Sequence, residues 1–491
     1  MARGRTFALC LKLVAGVALV VALSGCSSKL ATMYSHSGPL LSPSAAARIE
    51  NAAPLSRKQY LALAEQGVAK TALWWVPKLH GYLAYLGDTQ GRPLGTLWDN
   101  VSTFELLSEV AIAHPTRKTL AAVESFGDSY QSYWNANLKP VPGYAPYPGD
   151  DGAHQTTWYD DAGWLGLAFL DADKAVSSDR YLDDAERSMS FIQAGGWDGK
   201  QGGDMWWDTT HQWRSGEALA ADIDLAARLY QATGKAEYLR SATSWIAWAN
   251  KHLKQANGVY SRTSSTPYGS EAYIGSDHSL SYPVGTKSST SEPGGKSGAT
   301  SGPGLRVTSR LPPGCKAGQS AKACVTELCK SHPKMCPSRA GTTLANGGGT
   351  HRAANAKPTF VAMPQDGEGA MLAAFVSLYQ STGQGSWLTE AQNLAGSIIK
   401  WLEPFDDGSE YDGIALRGFV TLYAADHDPR WYKFVTSLAS VVIHTARSAP
   451  GVYLKPWGGG QSVPGAVPEM LRTDASSLMV FAALATVAPS N

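Results

Sequence analysis

The chain has no surplus of charge of either sign: 42 Lys and Arg stand against 41 Asp and Glu in 491 residues, a formal net charge of +1. A protein that grips nucleic acid needs a basic face, and this balance supplies none, so no nucleic-acid partner is expected. Strand-like alternation of apolar and polar residues is scarce, which leaves an all-β fold without support. There is no phosphate-cradling glycine loop, no dinucleotide fingerprint and no Gly-x-Ser-x-Gly, and His211 and His278 show no metal-ligand spacing. Nucleotide chemistry, a nucleophilic-serine elbow and a bound metal therefore have no footing, and no cofactor is expected. The apolar run Leu13–Leu23 is too short to span a bilayer comfortably.

That short run has another use. Arg3, Arg5 and Lys12 precede it and Leu23-Ser24-Gly25-Cys26 closes it, the order of an export signal. The closing residues resemble a bacterial lipobox, which implies lipidation of Cys26. An ordinary signal peptide cut nearby and an uncleaved anchor are the alternatives. Residues 1–26 are read as the signal and 27–55 as a polar tether holding the protein to a membrane surface outside the cytoplasm. Cysteine is sparse: beyond Cys10 and Cys26 only Cys315, Cys324, Cys329 and Cys336 remain. An even number in an exported chain points to two disulfides with three pairings open. A zinc site of Cys324, Cys329, His332 and Cys336 is the weaker reading, because the spacing matches no strong pattern.

What the chain does have is aromatic side chains, 16 Trp and 21 Tyr, and apolar stripes at helical spacing. Twelve helices are expected, at roughly Ser56–Val76, Leu97–Ala113, Thr116–Asn135, Asp160–Ala172, Ser178–Ala194, Ser215–Thr233, Lys235–Leu253, Pro364–Thr382, Ser386–Leu402, Ser409–Ala425, Pro429–Arg447 and Arg472–Val487. An echo runs through them: Leu229-Tyr230-Gln231-Ala232-Thr233-Gly234 then Tyr238-Leu239, and Leu378-Tyr379-Gln380-Ser381-Thr382-Gly383 then Trp387-Leu388, with a looser copy at Leu422-Tyr423 and Trp431. Each copy is a helix end, a short turn and an aromatic opening the next helix, and Gly234 and Gly383 suit the left-handed position there. Six such hairpins suggest an all-α, closed (α/α)6 toroid as one catalytic domain over residues 56–491; an open α-solenoid is the alternative. A monomer is expected. Residues 262–357, rich in Gly, Ser, Thr and Pro and holding the Cys cluster, read as a long insertion, with helix limited to Ala321–Ser331.

One stretch stands out. In Thr156–Ala172 the adjacent Asp160 and Asp161 open a helix whose inward face carries Trp164, Leu167, Ala168 and Asp171. One Asp can cap a helix and a second can favour its positive end. Aromatics crowd this pair, however, with Trp158 and Tyr159 directly before it. Two carboxyls about 5–5.5 Å apart are what a retaining glycosidase requires, and their repulsion raises one pKa so that one of them stays protonated. A second aromatic-acidic piece, Trp206-Trp207-Asp208, follows the glycine-rich stretch Gly195–Gly203. Its tryptophans either face sugar or pack under the loop, and one is expected at the cleft.

These pieces carry a resemblance. Trp158-Tyr159-Asp160-Asp161-Ala162-Gly163-Trp164, Gly202-Gly203-Asp204-Met205-Trp206-Trp207-Asp208, Ala226-Ala227-Arg228-Leu229-Tyr230 and Asp412-Gly413-Ile414-Ala415-Leu416-Arg417 together resemble glycoside hydrolase family 76, the endo-α-1,6-mannanases and their fungal cell-wall relatives. The resemblance implies an (α/α)6 barrel and retaining cleavage of α-1,6-linked mannose, with Asp160 as nucleophile and Asp161 as general acid/base. It implies substrate contacts from Trp158, Tyr159, Trp206, Trp207 and Asp208. Arg417 matches a family Arg that binds substrate or braces the acids. An α-mannan or a mannose-containing envelope glycan would be the partner.

The chain departs from the family in two places. Asp366-Gly367-Glu368-Gly369 stands where the family usually reads Tyr-Asn-Gln-Gly, and Ser215-Gly216-Glu217 offers no Asn at the start of its helix. In the first, acidic groups replace amides; in the second, the amide is missing. A transglycosidase using the same Asp pair, and a mannan-binding lipoprotein with a degenerate site, are the rival expectations.

Overall fold

The computed structural model describes residues 53–86, 94–199, 202–262, 363, 365–401, 409–454, 457 and 470–488. The chain divides into two compact units, Met1–Leu280 with Phe360–Asn491, and Ser281–Thr359; every described residue belongs to the first. The signal, Cys26, most of the tether, the four clustered cysteines and the helix expected at Ala321–Ser331 lie outside the described residues.

The helices are α1 (Arg57–Thr71), α2 (Leu97–Ala113), α3 (Arg117–Ser129), α4 (Tyr159–Val176), α5 (Asp179–Gly195), α6 (Gly216–Thr233), α7 (Ala236–His252), α8 (Gln365–Thr382), α9 (Gly385–Trp401), α10 (Ser409–Asp426), α11 (Pro429–Thr445) and α12 (Leu471–Val487). All twelve expected helices are present, most within one or two residues of the expected bounds. The main exceptions are α1 and α3, which end early in 3-10 turns at Ala72–Trp74 and Tyr130–Tyr133, and α4, which runs on to Val176.

Their packing closes a ring. Helices α2, α4, α6, α8, α10 and α12 each pack on the next, and α12 returns to α2. The remaining six pack outside them, each chiefly on an inner neighbour. Burial follows this division. The inner helices are buried nearly all round, whereas the outer ones bury a single stripe, such as Tyr181, Ala185, Ser188 and Ile192 in α5. The closed (α/α)6 toroid expected from the hairpin echo is the observed fold, and the open solenoid is not.

Five of the six inner helices, all but α12, end in a turn of two or three residues before an outer helix. In four of these turns one residue takes the left-handed conformation, at Ser177, Gly234, Gly383 and His427. Gly234 and Gly383 are the two that the echo marked, and both satisfy the C-cap geometry with little steric cost. Because the inner helices all start after the longer connections, their N-termini gather at one mouth. Short antiparallel ribbons shape that rim: β1 (Trp75–Val76) with β2 (Gly81–Tyr82), β3 (Trp134–Asn135) with β4 (Gly143–Tyr144), and β5 (Arg447–Ala449) with β6 (Val452–Tyr453). Among the described residues, no helix is long and apolar enough to cross a membrane.

Candidate active site

The mouth combines six positive helix ends with a concentration of acids. The first turns of the inner helices carry Asp99, Asp160 with Asp161, Glu217, Asp366 with Glu368, Glu410 with Asp412, and Asp474. Unpaired N–H groups and the macrodipole at a helix start favour nearby carboxylates. Two arginines offset part of the charge. Arg472 bonds Asp99 at 2.6 Å and Glu410 at 3.3 Å, and Arg262 reaches Glu217 at 3.3 Å.

Asp160 and Asp161 are the second and third residues of α4. Asp160 is buried and held on both oxygens. Its Oδ1 accepts the backbone N–H of Asp161 at 3.0 Å, and its Oδ2 accepts the indole N–H of Trp207 at 2.8 Å. Asp161 is partly open to the mouth. Burial raises both carboxyls above the usual range. Asp160 is pushed up further by Glu217 and is drawn back by its two donors and by Arg262. Asp161 is pushed up by Asp160, Asp99 and Glu217, with Arg472 opposing. The donors favour the ionised form of Asp160, so of the two it is the one that loses its proton first. An anion beside a protonated acid is the charge state that attack and leaving-group protonation require. Beneath them lies Asp222 of α6, fully buried, with neither carboxyl oxygen hydrogen-bonded; burial and the charge of Asp160 raise it well above the usual range.

The tryptophan loop separates into roles. Trp207 is partly exposed and touches Asp160, so it is the tryptophan at the cleft. Trp206 lies under the loop, sandwiched between the guanidinium of Arg214, 3.2 Å from its ring centre, and His211 at 5.0 Å. Asp208 folds the loop: its Oδ1 accepts the N–H of Thr210 at 2.8 Å, and its backbone bridges Trp158, the residue before α4. Tyr159 is fully buried and stacks on Phe191 with centroids 5.2 Å apart, its backbone N–H bonded to Trp207 O at 2.9 Å. Tyr159, Trp206 and Asp208 thus sit as supports of the loop, with Trp158 and Trp207 at its inner edge.

Arg417 is not with the acid pair. It binds Glu105 at 2.7 Å, Glu109 at 3.0 Å and Asp171 at 2.5 Å. Asp171 is eleven residues along α4 from Asp160, about 16 Å at ~1.5 Å per residue. Burial alone would raise Asp171, but Arg228 and Arg417 outweigh it and hold the group at about 2. Arg417 thus braces Asp171, and the expected brace of the Asp160-Asp161 pair is not what it forms. This network lines an axial cavity of about 440 Å³ that also meets Trp164 and Gln380.

Other residues of the mouth were not singled out from sequence. Trp98 and Tyr411, in the first turns of α2 and α10, lie with ring centroids 6.2 Å apart, and Trp98 meets Trp164 at 6.1 Å. A signal was present: Trp98-Asp99 and Tyr411-Asp412 repeat the aromatic-acid order of Tyr159-Asp160. A second repeat was also passed over. Gly258-Val259-Tyr260 and Gly451-Val452-Tyr453 each precede an inner helix, and the tyrosine N–H of each is accepted by a fourth-position acid, Glu368 and Asp474, at 2.6 Å. Among the described residues, no group of three His, Cys, Asp or Glu is placed to hold a metal.

A ring of six helical hairpins with an aromatic, carboxyl-lined mouth is an (α/α)6 toroid, a fold that does not by itself name an activity. The model of glycosyl hydrolase family 76 matches residues 130–288, a region that holds Asp160, Asp161 and the tryptophan loop. The match falls on the same region that carries the motif resemblance to that family. No curated protein sequence matches. Solved structures share the fold. The family 76 alpha-mannanase of Bacteroides thetaiotaomicron superposes with a TM-score of 0.60 at 15% identity, over 88% of this chain and 96% of that one. The alpha-1,6-mannanase of Salegentibacter sp. HEL1_6, as an inactive variant with two consecutive aspartates replaced and bound to alpha-1,6-mannotetrose, gives 0.57 at 14% identity over 87% and 99%. A D-mannose isomerase gives 0.53 at 11% identity over 88% and 98%. The same toroid therefore hosts other chemistry, and it is the family match that supports a glycoside hydrolase.

Proposed function

We propose that this protein is a retaining glycoside hydrolase acting on α-1,6-linked mannose chains, with Asp160 as nucleophile and Asp161 as general acid/base. The observation that carries the reading is the pair itself. Two adjacent carboxyls open an inner helix at the toroid mouth, one held by two donors and the other partly open to solvent. Asp160 attacks the anomeric carbon while Asp161 gives its proton to the departing oxygen. Asp161, now ionised, then takes a proton from the water that releases the sugar. Trp207 orients the nucleophile, and Trp158 stands at the cleft edge beside the acids. The solved relative that holds an α-1,6-mannooligosaccharide was inactivated at two consecutive aspartates, which supports assigning the same kind of pair here. The lipobox at Cys26 supports tethering outside the cytoplasm, and an even cysteine count supports two disulfides.

The test is incubation of the protein, and of Asp160→Ala, with α-1,6-mannan and α-1,6-mannooligosaccharides. Shorter products with retained anomeric configuration from the parent alone are expected. Longer products would turn the reading to transglycosylation. Binding without any product would turn it to a non-catalytic mannan-binding protein.

A further inference from the structure

Glu217 is the second residue of α6, the same place that Asp160 takes in α4. Its Oε2 lies 3.3 Å from the guanidinium of Arg262. That arginine, placed by the sequence at the start of the insertion, is built into the domain. Its carbonyl accepts the N–H of Gly216 at 2.7 Å. The approach is close enough that a Cβ on Gly216 would stand 2.9 Å from the carbonyl oxygens of both Ser261 and Arg262, which explains a glycine at this helix start. Behind it, Tyr260 N–H bonds Glu368 of α8 at 2.6 Å, and Tyr260 O accepts Met363 N–H at 3.0 Å. The segment is thus clamped between the first turns of α6 and α8, with its cation turned into the mouth.

We propose that Arg262 is a positioning residue of the catalytic pair: clamped by its backbone to α6, it holds and neutralises Glu217 beside Asp160, so that the nucleophile works next to an ion pair instead of a bare carboxylate. The proposal rests on the reading of Asp160 as nucleophile. It accounts for a departure from the family, since an acid at the start of α6, where an amide is usual, brings a cation with it. The charged and titratable groups around the pair agree. Asp160 of α4, Asp366 of α8 and Tyr411 of α10 all act on Arg262. Asp160 is itself raised by Glu217 and lowered by Arg262, whereas Arg262 is absent from the main influences on Asp161, on which Arg472 acts instead. Asp222 lies beneath Asp160 and is not reached by the pair's salt link.

The consequence is an asymmetry between the two limbs of the pH profile. The nucleophile must be ionised, so its titration sets the acid limb; the acid/base must be protonated, so its titration sets the basic limb. Removing Arg262 raises the first more than the second, which narrows the bell from the acid side. Removing Glu217 lowers both.

The test titrates the carboxyls directly, without substrate. The full chain is labelled with a carbodiimide and an amine across pH 5–10, and Asp160 and Asp161 are quantified by peptide mass spectrometry. Arg262→Gln is expected to move the Asp160 midpoint up by about one pH unit, with Asp161 moved clearly less. Glu217→Gln should move both midpoints down, the double variant should return Asp160 to near its parent value, and Arg262→Lys should follow the parent. An Asp160 midpoint unchanged in Arg262→Gln, or moved equally with that of Asp161, overturns the proposal. Should Arg262→Gln not fold, Glu217→Gln decides alone, since an unmoved Asp160 midpoint there overturns it equally. The α-1,6-mannooligosaccharide assay is run beside it. Shifted midpoints with no cleavage by the parent would remove the substrate reading and leave the role of Arg262. Cleavage by the parent with unshifted midpoints would do the reverse.

Discussion

Trp207 gives its indole N–H to Asp160 at 2.8 Å across 47 residues of sequence. This one bond ties the glycine-rich loop after α5 to the start of α4, and it shows which tryptophan of the Trp206-Trp207 pair reaches the acid. Trp207→Phe keeps most of the ring and deletes the donor. A hydrogen bond to a charged group contributes about 1.5–3 kcal/mol, so the acid limb of kcat/KM should move up by about one to two pH units. A pH profile on mannooligosaccharide checks this; an unmoved limb would show that Trp207 only packs.

Asp161→Ala should separate the two steps of the reaction. Loss of general acid and base is worth about 10²–10⁴ in rate. On an aryl mannoside whose leaving group needs no proton, the first step should survive, and azide should restore turnover as a mannosyl azide of retained configuration. Asp160→Ala should show neither effect. A mannosyl azide of retained configuration from Asp160→Ala in place of Asp161→Ala would reverse the two roles; an inverted product there would keep them, since azide then takes the place of the missing nucleophile in a single displacement.

Arg472 joins the starts of α12, α2 and α10 through Asp99 and Glu410, and all three side chains are nearly buried. Arg472→Met leaves two buried carboxyls without their cation. Breaking a buried pair on one side costs about 3–5 kcal/mol. Urea unfolding should show a midpoint loss of that order, whereas Arg430→Met, at an exposed pair, should change stability by less than about 1 kcal/mol.

Stability should decline as pH rises through neutrality. Burial raises Glu368 to about 8, and Glu105 and Asp224 to about 7. In the unfolded chain such groups lose their protons near about pH 4. Between those values the native state holds more protons than the unfolded one, so the unfolding free energy falls with rising pH. Glu368→Gln keeps an oxygen for the Tyr260 N–H and cannot ionise. It should be more stable than the parent at pH 8 by at least about 1 kcal/mol and equal to it near pH 4. Thermal melts across that range check the sign.

The helices were legible because helical spacing and hairpin turns are local: α2 was bounded to the residue, and Gly234 and Gly383 marked their turns. Asp160 and Asp161 were legible because the aromatics that surround them are their chain neighbours. The partners that set their charge were not. Arg262 and Arg472 lie far along the chain from α4 and reach its start only because the ring closes, and no period in the sequence encodes that closure. Arg417 shows the same limit in reverse: its motif was recognised, but its distance from the pair depends on which turn of α10 it occupies. Trp98 and Tyr411 could have been found by asking which other helix starts repeat an aromatic followed by an acid.

The bond between Tyr260 O and Met363 N brings two positions far apart in sequence to one point on the toroid. Topologically this is a splice site: whatever lies between Arg262 and Met363 can change length without stretching α6 or α8. Loop closure costs rise only slowly with length, by about 0.6 kcal/mol per doubling, so this point on the rim can accept a foreign domain as readily as a short linker. Grafting a fluorescent or carbohydrate-binding module there would place the cargo beside the mouth, with both of its ends already brought together by the host.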